Sequence, residues 1–136
     1  MNNTTIAIAA TFLWAAIVFC LHVIKVDLPK DEPLLQIPHA DKLVHFSLFA
    51  VMSFLAGRCY TTISASKITF SAFVVVLICC AVYGALLEWI QAYLTTERSG
   101  DIWDWMADLA GIITGLIIAR SPYLRFFFDL QRRESL

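Results

Sequence analysis

Five carboxylates, one histidine and two cations in this chain fall at spacings that could do chemistry. In the stretch DIWDWMADLAGIITG, Asp101, Asp104 and Asp108 stand at i, i+3 and i+7, so a helix would carry all three on one face. Gly111 and Gly115 continue that stripe, acidic at its start and smooth further in. Asp41, Lys42 and His45 lie within little more than one helical turn, and Glu88 and Gln91 are spaced i, i+3, continuing a stripe from Gly84. Arg98 precedes the acidic stretch. A carboxylate beside an imidazole is a general acid–base pair. Arginine and lysine hold phosphate oxygens. Several carboxylates in one place repel unless cations, protonation or a bound divalent cation balance them.

The same residues have plainer uses. Asp41 and Asp101 are placed to cap helices. His45 alone reads as a satisfied buried histidine, Arg98 as an interfacial anchor, and a polar layer can serve only to join helices. Gly111-x-x-x-Gly115 suits close packing inside the chain first and homodimerisation second. The conjunction favours a site, because three separate segments present polar stripes.

These stripes must be positioned by membrane-grade helices. The 136 residues are 60% hydrophobic with a mean hydropathy of +0.73, more apolar than a soluble domain. Four apolar runs are long enough to cross a bilayer, since about 20 residues span about 30 Å. They lack the alternation of strands, and open sheet is excluded in lipid by its unpaired backbone groups. The expectation is an all-α integral membrane four-helix bundle, with helices at about 5–24, 42–60, 68–94 and 101–120. The N-terminal run has no preceding Lys or Arg and exceeds a signal-peptide core, so it reads as the first membrane helix. His22, at its end, reads as solvated, and Trp14 and Phe12 as packing or lipid-facing. Residues 25–41, with Pro29, Pro33 and Pro38, read as an ordered interfacial loop, and 61–67 as a short polar connection. The tail after Ser121-Pro122 mixes aromatics with arginines, as does a surface-lying helix, and disorder after about Asp129 is the alternative. Cys20, Cys59, Cys79 and Cys80 form no CxxC and read as small buried hydrophobes. The net charge of −1 implies nothing about nucleic acid, and with no basic aromatic-interleaved patch no nucleic-acid partner is expected.

Four crossings put both termini on one side. That side collects Arg58, Lys67, Arg120, Arg125, Arg132 and Arg133, against Lys25, Lys30, Lys42 and Arg98 on the other. The positive-inside rule then makes the termini cytoplasmic. With that orientation every ionisable residue inside the helices falls in one outer layer, Asp104 about 5 Å and Asp108 about 10 Å below Asp101. A lipid-facing carboxylate costs about 2.5 kcal/mol or more at a helix centre, so these should face each other, His45, a cation or water.

At these residues the chain resembles the VanZ-like family of small membrane proteins. Asp41, Lys42 and His45 match its Asp-Lys-x-x-His, and Glu88 and Gln91 its Glu-x-x-Gln. Arg98, Asp101, Asp104, Asp108 and Gly111 match Arg-x-x-Asp-x-x-Asp-x-x-x-Asn-x-x-Gly, with Asp108 in the asparagine place. Glu97 stands where a proline is often found before the arginine. The resemblance covers about residues 38–120 and implies one such domain over 1–136, in the bacterial cytoplasmic membrane. It further implies an association with low-level resistance to the glycopeptide teicoplanin. The functional expectation is a site at outer-leaflet level for an envelope lipid or lipid-linked cell-wall precursor. Lys42 and Arg98 would hold phosphate, and His45 with Glu88 or Asp104 would act as acid–base or hold a metal ion. A proton- or cation-coupled carrier subunit and a structural or assembly role are the alternatives. There is no HExxH, phosphate loop or nucleophile elbow to name a reaction.

Overall fold

The computed structural model describes residues 2–23, 39–94 and 102–121. The expected interfacial loop before His39, the link carrying Arg98 and Asp101, and the aromatic–arginine tail lie outside the described residues. Four helices account for nearly all the rest: α1 (Asn3–Val23), α2 (Ala40–Ser64), α3 (Phe70–Leu94) and α4 (Ile102–Arg120). Each is long and apolar enough to cross a membrane.

Their ends follow local hydrogen bonding. Asn2 caps α1, its Oδ1 accepting from the Thr5 backbone N–H at 2.8 Å. Thr69 caps α3 through the Ala72 N–H at 3.1 Å. α2 is longer than expected at both ends. Residues 61–64 do not form a connection; the hydroxyls of Thr61, Thr62 and Ser64 bond carbonyls one turn back and stay on the helix. The turn comes at Ala65, which is left-handed at φ 50°. At the other end α2 begins one residue before Asp41. His39 is therefore the N-cap, without a capping side-chain bond, and Asp41 lies in the first turn, where its charge favours the helix N-terminus.

α2 is the central element, in contact with α1, α3 and α4, and its contact with α4 is the most extensive. Gly111 and Gly115 make this possible. A Cβ on Gly111 would overlap the Phe46 carbonyl oxygen, and one on Gly115 the Ala50 carbonyl oxygen and Ser53 Oγ. Ser53 Oγ donates to the Ile112 carbonyl at 2.9 Å across this seam. Val18, Phe49, Met52, Cys80, Leu87, Ile112 and Leu116 form the buried core. Three aromatic donors tie further pairs through backbone carbonyls: Trp14 Nε1 to Leu48 (3.0 Å), Tyr83 Oη to Ala15 (2.8 Å) and Trp105 Nε1 to Ala81 (3.1 Å). Each uses a second lone pair of an oxygen already in a helix. Trp14 is thus a packing residue, while Phe12 is 73% exposed. The outer surface carries Phe12 on α1, Leu43, Val44, Val51 and Ile63 on α2, Phe70, Val75, Val82, Leu86 and Trp89 on α3, and Ile113 and Ile117 on α4, so every helix has an apolar face for lipid. Of the cysteines, all expected to be buried, only Cys80 is; Cys20 and Cys79 are exposed and Cys59 is half-buried.

Candidate functional site

The polar residues converge at one end of the bundle, where α1 and α3 finish and α2 and α4 begin. α2 and α4 run parallel here, so Lys42 meets Asp104 and, one turn further in, His45 meets Asp108. Lys42 Nζ donates to Asp104 Oδ1 at 2.8 Å and to Asp41 Oδ2 at 3.2 Å. Asp41 is the outermost, with 58% of its side chain exposed. These three form a charged rim.

Behind the rim lies a buried cluster. Asp108 is fully buried, and its Oδ1 faces His45 Nδ1 at 3.1 Å. With Asp108 ionised its oxygen accepts, so Nδ1 carries the proton and, in the neutral imidazole, the lone pair of His45 sits on Nε2. Glu88 Oε1 stands 3.6 Å from the same Nδ1, close enough for charge attraction but beyond hydrogen-bond length. The other Asp108 oxygen, Oδ2, is buried without a hydrogen-bond partner. It lies where Gly84 opens space: a Cβ on Gly84 would come within 3.1 Å of it. Gln91 is buried one turn along α3 from Glu88.

His22 completes the cluster, and it corrects the expectation of a solvated residue. It is 6% exposed, and its ring meets the His45 ring edge-on with centroids 5.0 Å apart. Its Nδ1 lies 2.7 Å from the Val18 carbonyl oxygen. A carbonyl can only accept, so Nδ1 donates and the lone pair of His22 also sits on Nε2. The signal in the sequence was depth. His22 ends α1 at the level where His45 begins α2, and the chain has only three histidines.

Of the sequence candidates, Asp41, Lys42, His45, Glu88, Gln91, Asp104 and Asp108 are therefore gathered at one end. Asp104 pairs with Lys42 rather than with His45. Arg98 and Asp101 lie outside the described residues. Gly111 and Gly115 sit directly beneath, against α2. Chemically the arrangement offers a histidine oriented by a carboxylate, with a second histidine and a glutamate alongside and a lysine at the entrance. Such a group can transfer a proton, ligate a cation or receive a phosphate.

A family model described as VanZ/LLP1 matches residues 3–127, nearly the whole chain. No curated protein and no solved structure matches.

Proposed function

This chain belongs to the VanZ/LLP1 family, and for this member we propose that the polar end of the bundle binds the phosphate-bearing headgroup of an envelope lipid or lipid-linked cell-wall precursor. The observation that carries the reading is the distribution of polarity. Among the described residues, the buried carboxylate and imidazole side chains all belong to the cluster at one end, while the flanks of the four helices are apolar and exposed. An amphiphile fits such a surface, its headgroup at the polar end and its chains along the flank. Lys42, 26% exposed at the rim, is the contact for a phosphate oxygen, and Arg98 on the adjoining link is its expected companion. The membrane is the bacterial cytoplasmic membrane, with both termini on the cytoplasmic side and the polar end at outer-leaflet level, by the lysine and arginine bias. A cell-wall precursor as ligand would connect the protein to teicoplanin sensitivity.

A carrier reading requires polar steps through the other half of the bundle. Among the described residues that half buries Ser53 and no other polar side chain. The lipid reading is therefore preferred.

The test is thermal unfolding of the full chain in detergent with a phosphate-bearing lipid, a lipid-linked cell-wall precursor, or a neutral diacylglycerol. The phosphate-bearing ligands raise the melting temperature of the wild type and have little effect on Lys42→Gln. A wild type indifferent to all three lipids, or a Lys42→Gln protein that responds fully, would end the reading.

A further inference from the structure

Beyond the lipid site, we propose that His22, His45 and Glu88 form a binding site for a divalent transition-metal ion of the zinc class. One nitrogen of each histidine and one Glu88 oxygen lie within 4.8 Å of one another. An ion at the centre of a triangle no larger than this stands at most about 2.8 Å from each corner (4.8 Å divided by √3), against about 2.0–2.2 Å in a formed zinc site. By distance alone, inward movement of less than about 1 Å per side chain brings the three donor atoms into zinc-ligand range.

The orientation of both rings supports ligation independently of that distance. A metal-bound histidine generally gives its other N–H to a carbonyl or carboxylate, which fixes the ring and raises its basicity. His22 does this with the Val18 carbonyl at 2.7 Å, and His45 with the Asp108 carboxylate at 3.1 Å. In the neutral rings both lone pairs are thereby placed on Nε2; Glu88 Oε1 stands 3.6 Å from His45 Nδ1, so ligation through Nε2 also requires Glu88 to turn toward that edge of the ring. Asp108, fully buried, is then a positioning residue for His45 rather than a ligand.

The donor set selects the ion. Two imidazoles and one carboxylate suit zinc and its first-row neighbours, whereas magnesium and calcium take oxygen ligands and keep water. Three protein ligands leave a fourth position for water or for an oxygen of a bound phosphate. The sites of this inference and of the lipid reading adjoin, but the metal site rests on His22, His45 and Glu88 and not on the lipid reading.

The experiment uses the full chain in detergent, stripped with a chelator and titrated with Zn2+, Co2+ or Mg2+ in the absence of phosphate-bearing lipid. Bound metal per chain, the visible absorption of Co2+ and the melting temperature are read together. The wild type takes up about one Zn2+ or Co2+ per chain, with a Co2+ spectrum of low coordination number, and no Mg2+. His22→Gln and Glu88→Gln each weaken Zn2+ at least about tenfold, and Asp108→Asn by a smaller factor. His39→Gln, which removes the third histidine, leaves binding unchanged. A wild type that takes up no Zn2+ overturns the proposal without recourse to variants. So does Zn2+ binding that survives both His22→Gln and Asp108→Asn, or that is lost in His39→Gln instead. Zinc uptake without a lipid response removes only the lipid reading, and a lipid response without zinc uptake removes only this one.

Discussion

Replacing Gly115 with alanine tests the contact on which the polar end depends. The new Cβ would overlap the Ala50 carbonyl oxygen and Ser53 Oγ and come within 2.9 Å of the Ala50 carbonyl carbon. The carbonyl belongs to the α2 backbone and cannot rotate aside, so the helices must part. Overpacking of this kind costs about 1–3 kcal/mol. Displacing Ser53 also forfeits its bond to the Ile112 carbonyl, worth about 0.6 kcal/mol between helices in a membrane. Alanine returns about 1 kcal/mol through helix propensity. The net expectation is a loss of about 0.6–2.6 kcal/mol, from the same overpacking and propensity terms. Gly57→Ala is the comparison. Its Cβ would meet side chains, Ala119 Cβ at 2.9 Å and Ile68 Cδ1 at 3.1 Å, of which the isoleucine tip can turn away. Reversible unfolding in bicelles should therefore rank Gly115→Ala as more destabilising than Gly57→Ala. Should Gly115→Ala stabilise the protein, or Gly57→Ala cost more, the account of the α2–α4 contact is wrong.

Three further outcomes follow from single contacts. Asp108→Asn keeps an acceptor for His45 Nδ1 and should change stability by less than about 1 kcal/mol, whereas Asp108→Leu strands a buried donor at a cost of about 1–3 kcal/mol; equal effects in an unfolding assay would refute the assigned bond. Tyr83→Phe removes the 2.8 Å bond to the Ala15 carbonyl that ties α3 to α1, and should lower stability by about 0.5–1.5 kcal/mol, with no loss disproving its contribution. A cysteine at the exposed Ser66, in a background with Cys20, Cys59, Cys79 and Cys80 replaced by alanine, should react with a membrane-impermeant thiol reagent only after the cells are opened; labelling in intact cells would reverse the proposed orientation.

The four helices were legible because length and apolarity suffice to define a span. The acidic stripe was legible because helical periodicity alone puts Asp104, Asp108, Gly111 and Gly115 on one face, and that face is the one turned inward. Helix ends were less so. The hydroxyls of Thr61, Thr62 and Ser64 read as a polar connection, but side-chain bonds to carbonyls one turn back let such residues remain helical. His22 escaped for a different reason. A lone histidine at a helix end carries no periodic partner in its own segment, and its neighbour His45 lies across a connection whose path no local pattern describes. Which acid would take which base was equally non-local: Lys42 chose Asp104 and His45 chose Asp108 because α2 and α4 are parallel and in one register.

That register has a physical origin in the pairing of glycines with carboxylates on α4. Lipid tails are as apolar as leucine, so hydrophobicity does not select how far one membrane helix slides along another. Close backbone approach and polar pairing do. Along the α2–α4 seam the sequence of contacts is Lys42 with Asp104, His45 with Asp108, Phe46 with Gly111, Ala50 with Gly115 and Gly57 with Ala119. A slip of one turn, about 5.4 Å, would drive side chains into the backbone at the glycine positions and break both polar pairs at once. The two halves of the stripe therefore specify the same alignment from opposite ends, the glycines by excluding alternatives and the carboxylates by binding. It follows that the buried Asp108 is held against His45 by steric contacts one and two turns away, and not by its hydrogen bond alone. A substitution at Gly111 or Gly115 should disturb the polar end even though neither glycine touches it.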